Sequence, residues 1–323
     1  MKPMETAYYP DTTASASHEE KTPHYAATIG FFDGVHRGHQ SVIEQLCTLA
    51  RERQLQTMVI TFEHHPRQVL HAEWQPQLLS SLDEKAELLA ATGIDKLVVL
   101  RFNEAMAQLS ARQFMEQVLR HDLHVQLLLT GYDNRFGHDR TTSFNDYADY
   151  GRALGIEVVC GQPLDVEGQR ASSSLVRRLL AEGQVAQAAT CLGRLYTLTG
   201  QVVHGEQIGR QLGFPTANLQ PDDASRLVPA NGVYAVLVKV EGQQHPGIMN
   251  IGTRPTFGGH TQTLEINILH FIGNLYHQKI TVSFIERLRD EQHFPSPEAL
   301  AEQMRRDAEQ AQAILSSYPN HYV

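Results

Sequence analysis

From Tyr25 onward, short runs of near-continuous apolar residues alternate with segments whose apolar positions recur every three or four residues. The runs are YAATIG (25–30), TMVITF (57–62), KLVVLRF (96–102), VQLLLTG (125–131) and IEVVC (156–160). Between them, QSVIEQLCTLARERQ (40–54) places Val42, Ile43, Leu46, Leu49 and Ala50 at helical spacing. DEKAELLAAT (83–92), a segment opened by Ser110 that runs through FMEQVL (114–119), and Phe144 to Leu154 also predict helices. Strands that are apolar along their whole length need cover on both faces, which amphipathic helices supply. The pattern therefore predicts a doubly wound parallel α/β sheet. Ligands of such sheets sit beyond the carboxyl ends of the strands.

The texture changes after a helix over SSLVRRLLAEG (173–183). YTLTGQVV (196–203), GVYAVLVKV (232–240), HPGIMNIG (245–252), TLEINILHF (263–271) and KITVSFIERL (279–288) are strand-like and punctuated by Gly, Pro and Asn. Adjacent strands without intervening helices predict an antiparallel barrel or sandwich. One long helix follows, from about Pro297 to Ser316. Residues 1–23 are rich in Thr, Ser, Ala and charge without apolar periodicity, and read as a poorly ordered tail. A length of 323 residues suits two domains at roughly 150 residues each. The change of texture near 184–194 divides them into 24–188 and 189–323.

Lys and Arg number 27 against 36 Asp and Glu, a formal charge of −9, which argues against non-specific binding to nucleic acid or an anionic membrane. Three scattered cysteines, Cys47, Cys160 and Cys191, give neither a disulfide framework nor a zinc spacing. No run reaches the ~18 apolar residues of a membrane helix, and the start lacks an apolar leader core. These features read as cytoplasmic.

Directly after the first strand comes GFFDGVHRGH (30–39), and a helix follows at once. Gly34 and Gly38 permit a tight backbone path. The helix start offers unpaired N–H groups and a partial positive charge, so the turn suits phosphate. Among seventeen histidines an HxxH pair is unremarkable, and what distinguishes His36 and His39 is their place between a buried strand and a helix start. Farther on, Ser172, Ser173 and Ser174 open a helix with Arg177 one turn inside, the composition of a second anion site.

GFFDGVHRGH resembles the nucleotidyltransferase signature of bacterial bifunctional riboflavin kinase/FAD synthetases. TFEHHPRQVL (61–70), TGYDNRFGHDR (130–140) and QRASSSLVRRLL (169–180) resemble three further segments of that family's first domain. The resemblance implies that His36 and His39 bind ATP phosphates and steady the charge during adenylyl transfer. It also implies nucleotide contacts at Gly30, Phe32, Asp33, Gly34, Gly38, Ser172, Ser173, Ser174 and Arg177. Flavin contacts are implied at Pro66, Asp133, Asn134, Arg135 and Phe136. Asn134 stands where the family usually has an aromatic residue, Thr142 where glycine is common, and Ser174 where threonine is usual.

In the second half, GQVVHGEQIGR (200–210) and LGFPTANL (212–219) place closely spaced glycines after a strand, and Thr216 with Asn218 offers two neutral oxygens suited to a hard cation. The whole string resembles the riboflavin kinase signature. The resemblance implies phosphate binding at Gly205, Gly209, Arg210 and Gly213, Mg2+ at Thr216 and Asn218, and a catalytic base at Glu265. By composition alone, Glu265 would be a solvent-face residue of a half-buried strand. NIGTRPTFGG (250–259), LEINILHF (264–271) and FIERLRDEQHFPSPEALAEQMRRD (284–307) continue the resemblance, with Asn267 and His270 departing from the commoner His and Asp.

The expected protein is an α/β nucleotidyltransferase-like domain followed by an antiparallel β-barrel with a C-terminal helix. It would convert riboflavin to FMN and FMN to FAD, with ATP and Mg2+. Alternatives from the same residues are a kinase whose adenylyltransferase is degenerate or differently specific, a non-catalytic flavin or nucleotide sensor, and a metallohydrolase built on the histidines. The oligomeric state stays open.

Overall fold

The computed structural model describes residues 3–10, 23–70, 73, 75, 77–131, 136–138, 143–205, 214–256 and 259–318. The chain divides into two compact units, Met1–Ala171 and Ser172–Val323. The packing boundary thus precedes the helix at Ser173, upstream of the stretch where the sequence changes texture.

In the first unit, six strands form one parallel sheet: β1 (Glu5–Tyr9), β2 (Tyr25–Ile29), β3 (Gln56–Phe62), β4 (Lys96–Leu100), β5 (Val125–Thr130) and β6 (Glu157–Cys160), in the order β1-β4-β3-β2-β5-β6. Helices α1 (Arg37–Arg53), α2 (Pro66–Leu70), α3 (Leu82–Ala90), α4 (Glu104–Ala107), α5 (Ala111–Phe114) and α6 (Phe144–Leu154) connect them, and α5 runs on as a π-helical segment, Met115–Asp122. Sheet residues such as Ala26, Ala27, Val59, Ile60, Leu97, Leu127 and Leu128 are fully buried, which is why these strands lack alternation. α1 turns Ile43, Leu46 and Ala50 inward. α3, α5 and α6 start at the capping boxes Ser81–Glu84, Ser110–Gln113 and Ser143–Asp146.

The chain proceeds outward from β2 to β3 and β4, then returns past β2 to β5 and β6. That reversal opens a crevice at the carboxyl ends of β2 and β5, where the doubly wound fold places ligands. A short hairpin, β7 (Asp165–Val166) with β8 (Gln169–Arg170), follows the sheet.

The expectation of an unstructured tail over residues 1–23 fails for Glu5–Tyr9, which adds the edge strand β1 beside β4. Thr6, Tyr8 and Tyr9 have strand-favouring side chains. Glu5 pairs with Lys96 at 2.7 Å, the Arg101 guanidinium lies 4.8 Å from the Tyr8 ring centre, and the Tyr9 hydroxyl donates to Asp122. Residues 11–22 lie outside the described residues.

In the second unit, α7 (Ser173–Ala181) and α8 (Val185–Leu192) precede β9 (Tyr196–Val203), β10 (Ala217–Pro221), β11 (Gly232–Val240), β12 (Gln243–Thr256), β13 (Gly259–Ile268) and β14 (Lys279–Arg289). These strands close into an antiparallel barrel in the order β10-β13-β12-β11-β14-β9, with β10 pairing back to β9. Tyr196, Leu198, Val202, Tyr234, Val236, Val238, Met249, Ile251, Ile266, Val282 and Phe284 are among its buried side chains.

Helix α9 (Pro297–Ser317) is capped by Ser296. Arg289 makes a two-pronged pair with Asp307, Nε at 3.0 and 3.1 Å and Nη2 at 2.8 Å, and Gln303 donates to the same carboxylate at 2.9 Å. Asp307 is 3% exposed, so this pairing leaves no bare buried charge and fastens α9 to the end of β14.

Candidate active sites

The turn between β2 and α1 departs from ordinary helical or extended backbone. Phe32 (φ 52°) and Val35 (φ 38°) both have left-handed φ values, which a β-branched valine rarely takes. Such strain costs on the order of 1–3 kcal/mol per residue and persists where surroundings over-determine it. Here Phe32 and Val35 are 4% and 1% exposed. Between them, the Asp33 carboxylate accepts backbone N–H groups from Leu79 (2.9 and 3.1 Å) and Ser80 (3.2 Å). Ser80 Oγ returns a contact, accepting the Gly34 N–H at 3.0 Å. Asp33, expected among the nucleotide contacts, is therefore the buried fastener of the turn.

His36 caps α1, its Nδ1 accepting the His39 N–H at 3.3 Å, so in the neutral ring the proton sits on Nε2. The two imidazoles stack with centroids 3.6 Å apart, and the Phe32 ring stands edge-on to His39 at 5.0 Å. Burial, then the neighbouring His36 and Lys85, holds the His39 imidazole well below the usual histidine range, so it is neutral at pH 7. Its Nδ1 is buried without a partner among the described residues, the condition of a group that awaits a ligand or solvent. A side chain at Gly38 would place its Cβ 2.7 Å from the Ala171 carbonyl oxygen, so only glycine lets this turn and the segment ending at Ala171 approach so closely. Gly30 leaves β2 beside the Phe32 ring.

Pro66 opens α2 just after β3 and is half-buried. Phe136 stacks on Tyr147 at 4.5 Å and lies 5.5 Å from Phe114. The Tyr147 hydroxyl accepts the Phe136 N–H and donates to its carbonyl, each at 3.0 Å, so this residue is tied to the core. Asp133, Asn134, Arg135 and Thr142 fall outside the described residues, as do Gly209, Arg210 and Gly213 of the second unit.

In the second unit, α7 opens with Ser172, whose Oγ accepts the Leu175 N–H at 3.2 Å. Ser173 and Arg177 follow, both half-buried and one helical turn apart, and Ser174 is exposed.

Strand register assembles the barrel site. Glu265 on β13 stands opposite Asn218 on β10 and opposite Asn250 on β12. Directly paired residues share a face, so two carboxamides bracket the carboxylate. Thr216, Asn250, Glu265, Asn267 and Arg289 line one cavity of about 620 Å³, closed on another side by Leu300 and Met304 of α9. Asn267 is buried and donates to the Pro215 carbonyl at 2.8 Å, holding the entry to β10. His270 sits exposed in the turn after β13 at φ 58°. At Gly205 a Cβ would lie 2.0 Å from Asn218 Nδ2, so glycine makes room for that carboxamide. A threonine hydroxyl and an asparagine amide oxygen, as at Thr216 and Asn218, are donor types that a hard cation would take.

Two further residues beside these sites leave no mark in the sequence. Asn250 becomes a neighbour of Glu265 only through strand pairing. Lys85, within an ordinary-looking charged helix, is 3% exposed and donates to the carbonyls of Phe31 (3.1 Å) and Phe62 (3.3 Å).

Comparison with known proteins accounts for both units. Residues 18–175 match the family model described as FAD synthetase, and residues 192–315 match the one described as riboflavin kinase. A bifunctional riboflavin kinase/FMN adenylyltransferase of Pseudomonas fluorescens is 40% identical over 291 residues, 90% of this chain and 93% of that protein. The Escherichia coli K12 protein of the same name is 39% identical over 281 residues, 87% of this chain and 89% of its own. A crystal structure described as a macrolide-efflux protein from Streptococcus pneumoniae superposes with a TM-score of 0.83 at 30% identity, covering 90% of this chain and 95% of that one. With family models matched across both halves and relatives alike over nearly their whole length, the chain belongs to the bifunctional riboflavin kinase/FMN adenylyltransferase family.

Proposed function

We propose that the chain makes flavin coenzymes in two steps, phosphorylating riboflavin to FMN in the domain 189–323 and transferring AMP from ATP to FMN in the domain 24–188. The observation that carries the reading is that Thr216 and Glu265, distant in sequence, line one barrel cavity, with Asn218 opposite Glu265 in strand register, in a chain that also carries the strained histidine turn.

In the first step, Glu265 accepts the proton of the terminal ribityl hydroxyl as its oxygen bonds to the γ-phosphorus of ATP and the bond to the β-phosphate oxygen breaks, releasing ADP. Thr216 and Asn218 would hold Mg2+, whose chemistry when bound is to offset charge on the ATP phosphates. Gly205, Gly209, Arg210 and Gly213 cradle those phosphates. Phosphoryl transfer of this kind depends on positioning and charge stabilisation more than on covalent help.

In the second step, the FMN phosphate oxygen attacks the α-phosphorus of ATP, and pyrophosphate leaves. That nucleophile is already anionic at pH 7, so no base is required and the site's task is to offset charge. His36 and His39 supply imidazole donors and the start of α1 supplies backbone N–H groups; the family resemblance adds Ser172, Ser173, Ser174 and Arg177 as phosphate contacts. Gly30, Phe32, Gly34 and Gly38 shape the turn that Asp33 fastens. Pro66 and Asp133 to Phe136 serve the flavin. The substrates are those of the cytoplasm.

Chromatography of the products formed from riboflavin, ATP and Mg2+ tests both steps in one tube. FMN followed by FAD is expected. FMN without FAD would indicate a silent first domain, and no turnover of ATP would indicate a sensor.

A further inference from the structure

The mechanism leaves one buried cation of the first unit without a task. Lys85 enters from α3, and its Nζ reaches the Phe31 carbonyl just beyond β2 and the Phe62 carbonyl at the end of β3. These are adjacent strands of the sheet. The same ammonium lies 4.2 Å from the Phe31 ring centre. Phe31 opens the turn that carries His36 and His39, its ring stands edge-on to His65 at 4.7 Å, and its carbonyl also accepts the Thr61 hydroxyl at 3.1 Å. One group thus holds the backbone and the ring from which the turn departs. Core filling would be served better by an apolar side chain, because burying an ammonium is costly unless it is hydrogen-bonded and paired.

Charged and titratable groups lie around this point. Asp33, in the turn, is the carboxylate that favours the Lys85 charge, while burial pushes the lysine down to about 8. His39, at the start of α1 and stacked on His36, feels the lysine's charge, which helps keep it neutral. His65 packs on Phe31 from the segment after β3.

We propose that Lys85 is a positioning residue for adenylyl transfer: its ammonium ties together the strand ends from which the histidine turn leaves, and sets one fixed positive charge beneath that turn. This rests on the assignment of FMN adenylylation to the first domain. The lysine need not touch substrate. It acts through the Phe31 backbone and through the charge state of His39, which must be neutral before the polyphosphate arrives and can gain a proton once those negative charges are bound.

The test uses the full chain as Lys85→Met, with Lys85→Gln as a second variant that keeps a polar donor while removing the charge. Phosphorylation of riboflavin by the second unit reports that each protein is intact, and thermal unfolding reports on the first. The expected result is a fall of about 10²-fold in kcat for FAD formation from FMN and ATP, with a much smaller change in the KM for FMN. In parallel, the His39 imidazole, followed by NMR between pH 4 and 8, titrates at higher pH in both variants than in wild type. Wild-type kcat together with an unmoved His39 titration in either folded variant would overturn the proposal. An unfolded first unit in both variants would do so too, since the lysine would then serve stability alone. If wild type itself formed no FAD, the domain assignment would fall while the histidine titration still decided the electrostatic claim.

Discussion

The two units gather their reactive groups in opposite ways. The first carries its candidate histidines within ten consecutive residues, 30–39, bent by left-handed backbone at Phe32 and Val35 and pinned through Asp33 to Leu79 and Ser80. The second draws Asn218, Asn250 and Glu265 from three strands and aligns them by register alone. A local turn concentrates donors at the cost of strain, whereas a barrel wall depends on its strands keeping their register.

The difference predicts separable losses. Glu265→Gln removes the proposed base and should lower FMN formation by about 10²–10⁴-fold, while FAD formation from supplied FMN continues. Measuring the two rates on one preparation checks this, and a parallel fall in both would break the separation. His39→Ala should do the reverse, costing about 10²–10³-fold in FAD formation and leaving riboflavin phosphorylation in place. Gly38→Ala probes the strain directly. With the Ala171 carbonyl 2.7 Å from the new methyl, the turn must shift, at a cost of about 1–3 kcal/mol in stability, read as a lowered denaturation midpoint of the first unit.

The pH dependence sharpens the contrast further. Lys85 titrates near 8 when folded and near 10.4 when unfolded, so between these values the unfolded chain binds more protons and stability rises with pH. Relative to Lys85→Met, wild type should therefore gain about 3 kcal/mol between pH 8 and 10.5, measured by denaturant unfolding at each pH. His39 works at the acid end. Its folded value is depressed, so stability is lost as pH falls below about 6.5, and His39→Gln should flatten that decline.

How much of this the sequence disclosed follows the same division. Strands buried on both faces announced themselves as apolar runs, and the histidine turn could be read as a string because its chemistry is contiguous. β1 escaped because five partly exposed residues at a sheet edge carry no periodicity, and their pairing with β4 is decided by tertiary contacts. β10 escaped because ANLQP, with Asn and Pro, has little intrinsic strand character and exists by being held between β9 and β13. α8 escaped because VAQAATCL is short and lacks a side-chain cap at its start, yet it turns five small or apolar residues inward and ends at Gly193 with a left-handed cap. Glu265 looked equally suited to a solvent face, and only the cavity gives it another surrounding. Lys85 was illegible in DEKAELL because burial of a lysine leaves no mark in composition.

The anchoring of α9 through Arg289 and Asp307 also bears on the order of events during synthesis. Leu300 and Met304 form part of the wall around Glu265, so a nascent chain with all six barrel strands extruded would still present the proposed phosphorylation pocket open and unfinished. The histidine turn and every strand of the parallel sheet emerge well before that point. A ribosome-bound chain could thus acquire its adenylylating machinery before it can phosphorylate anything.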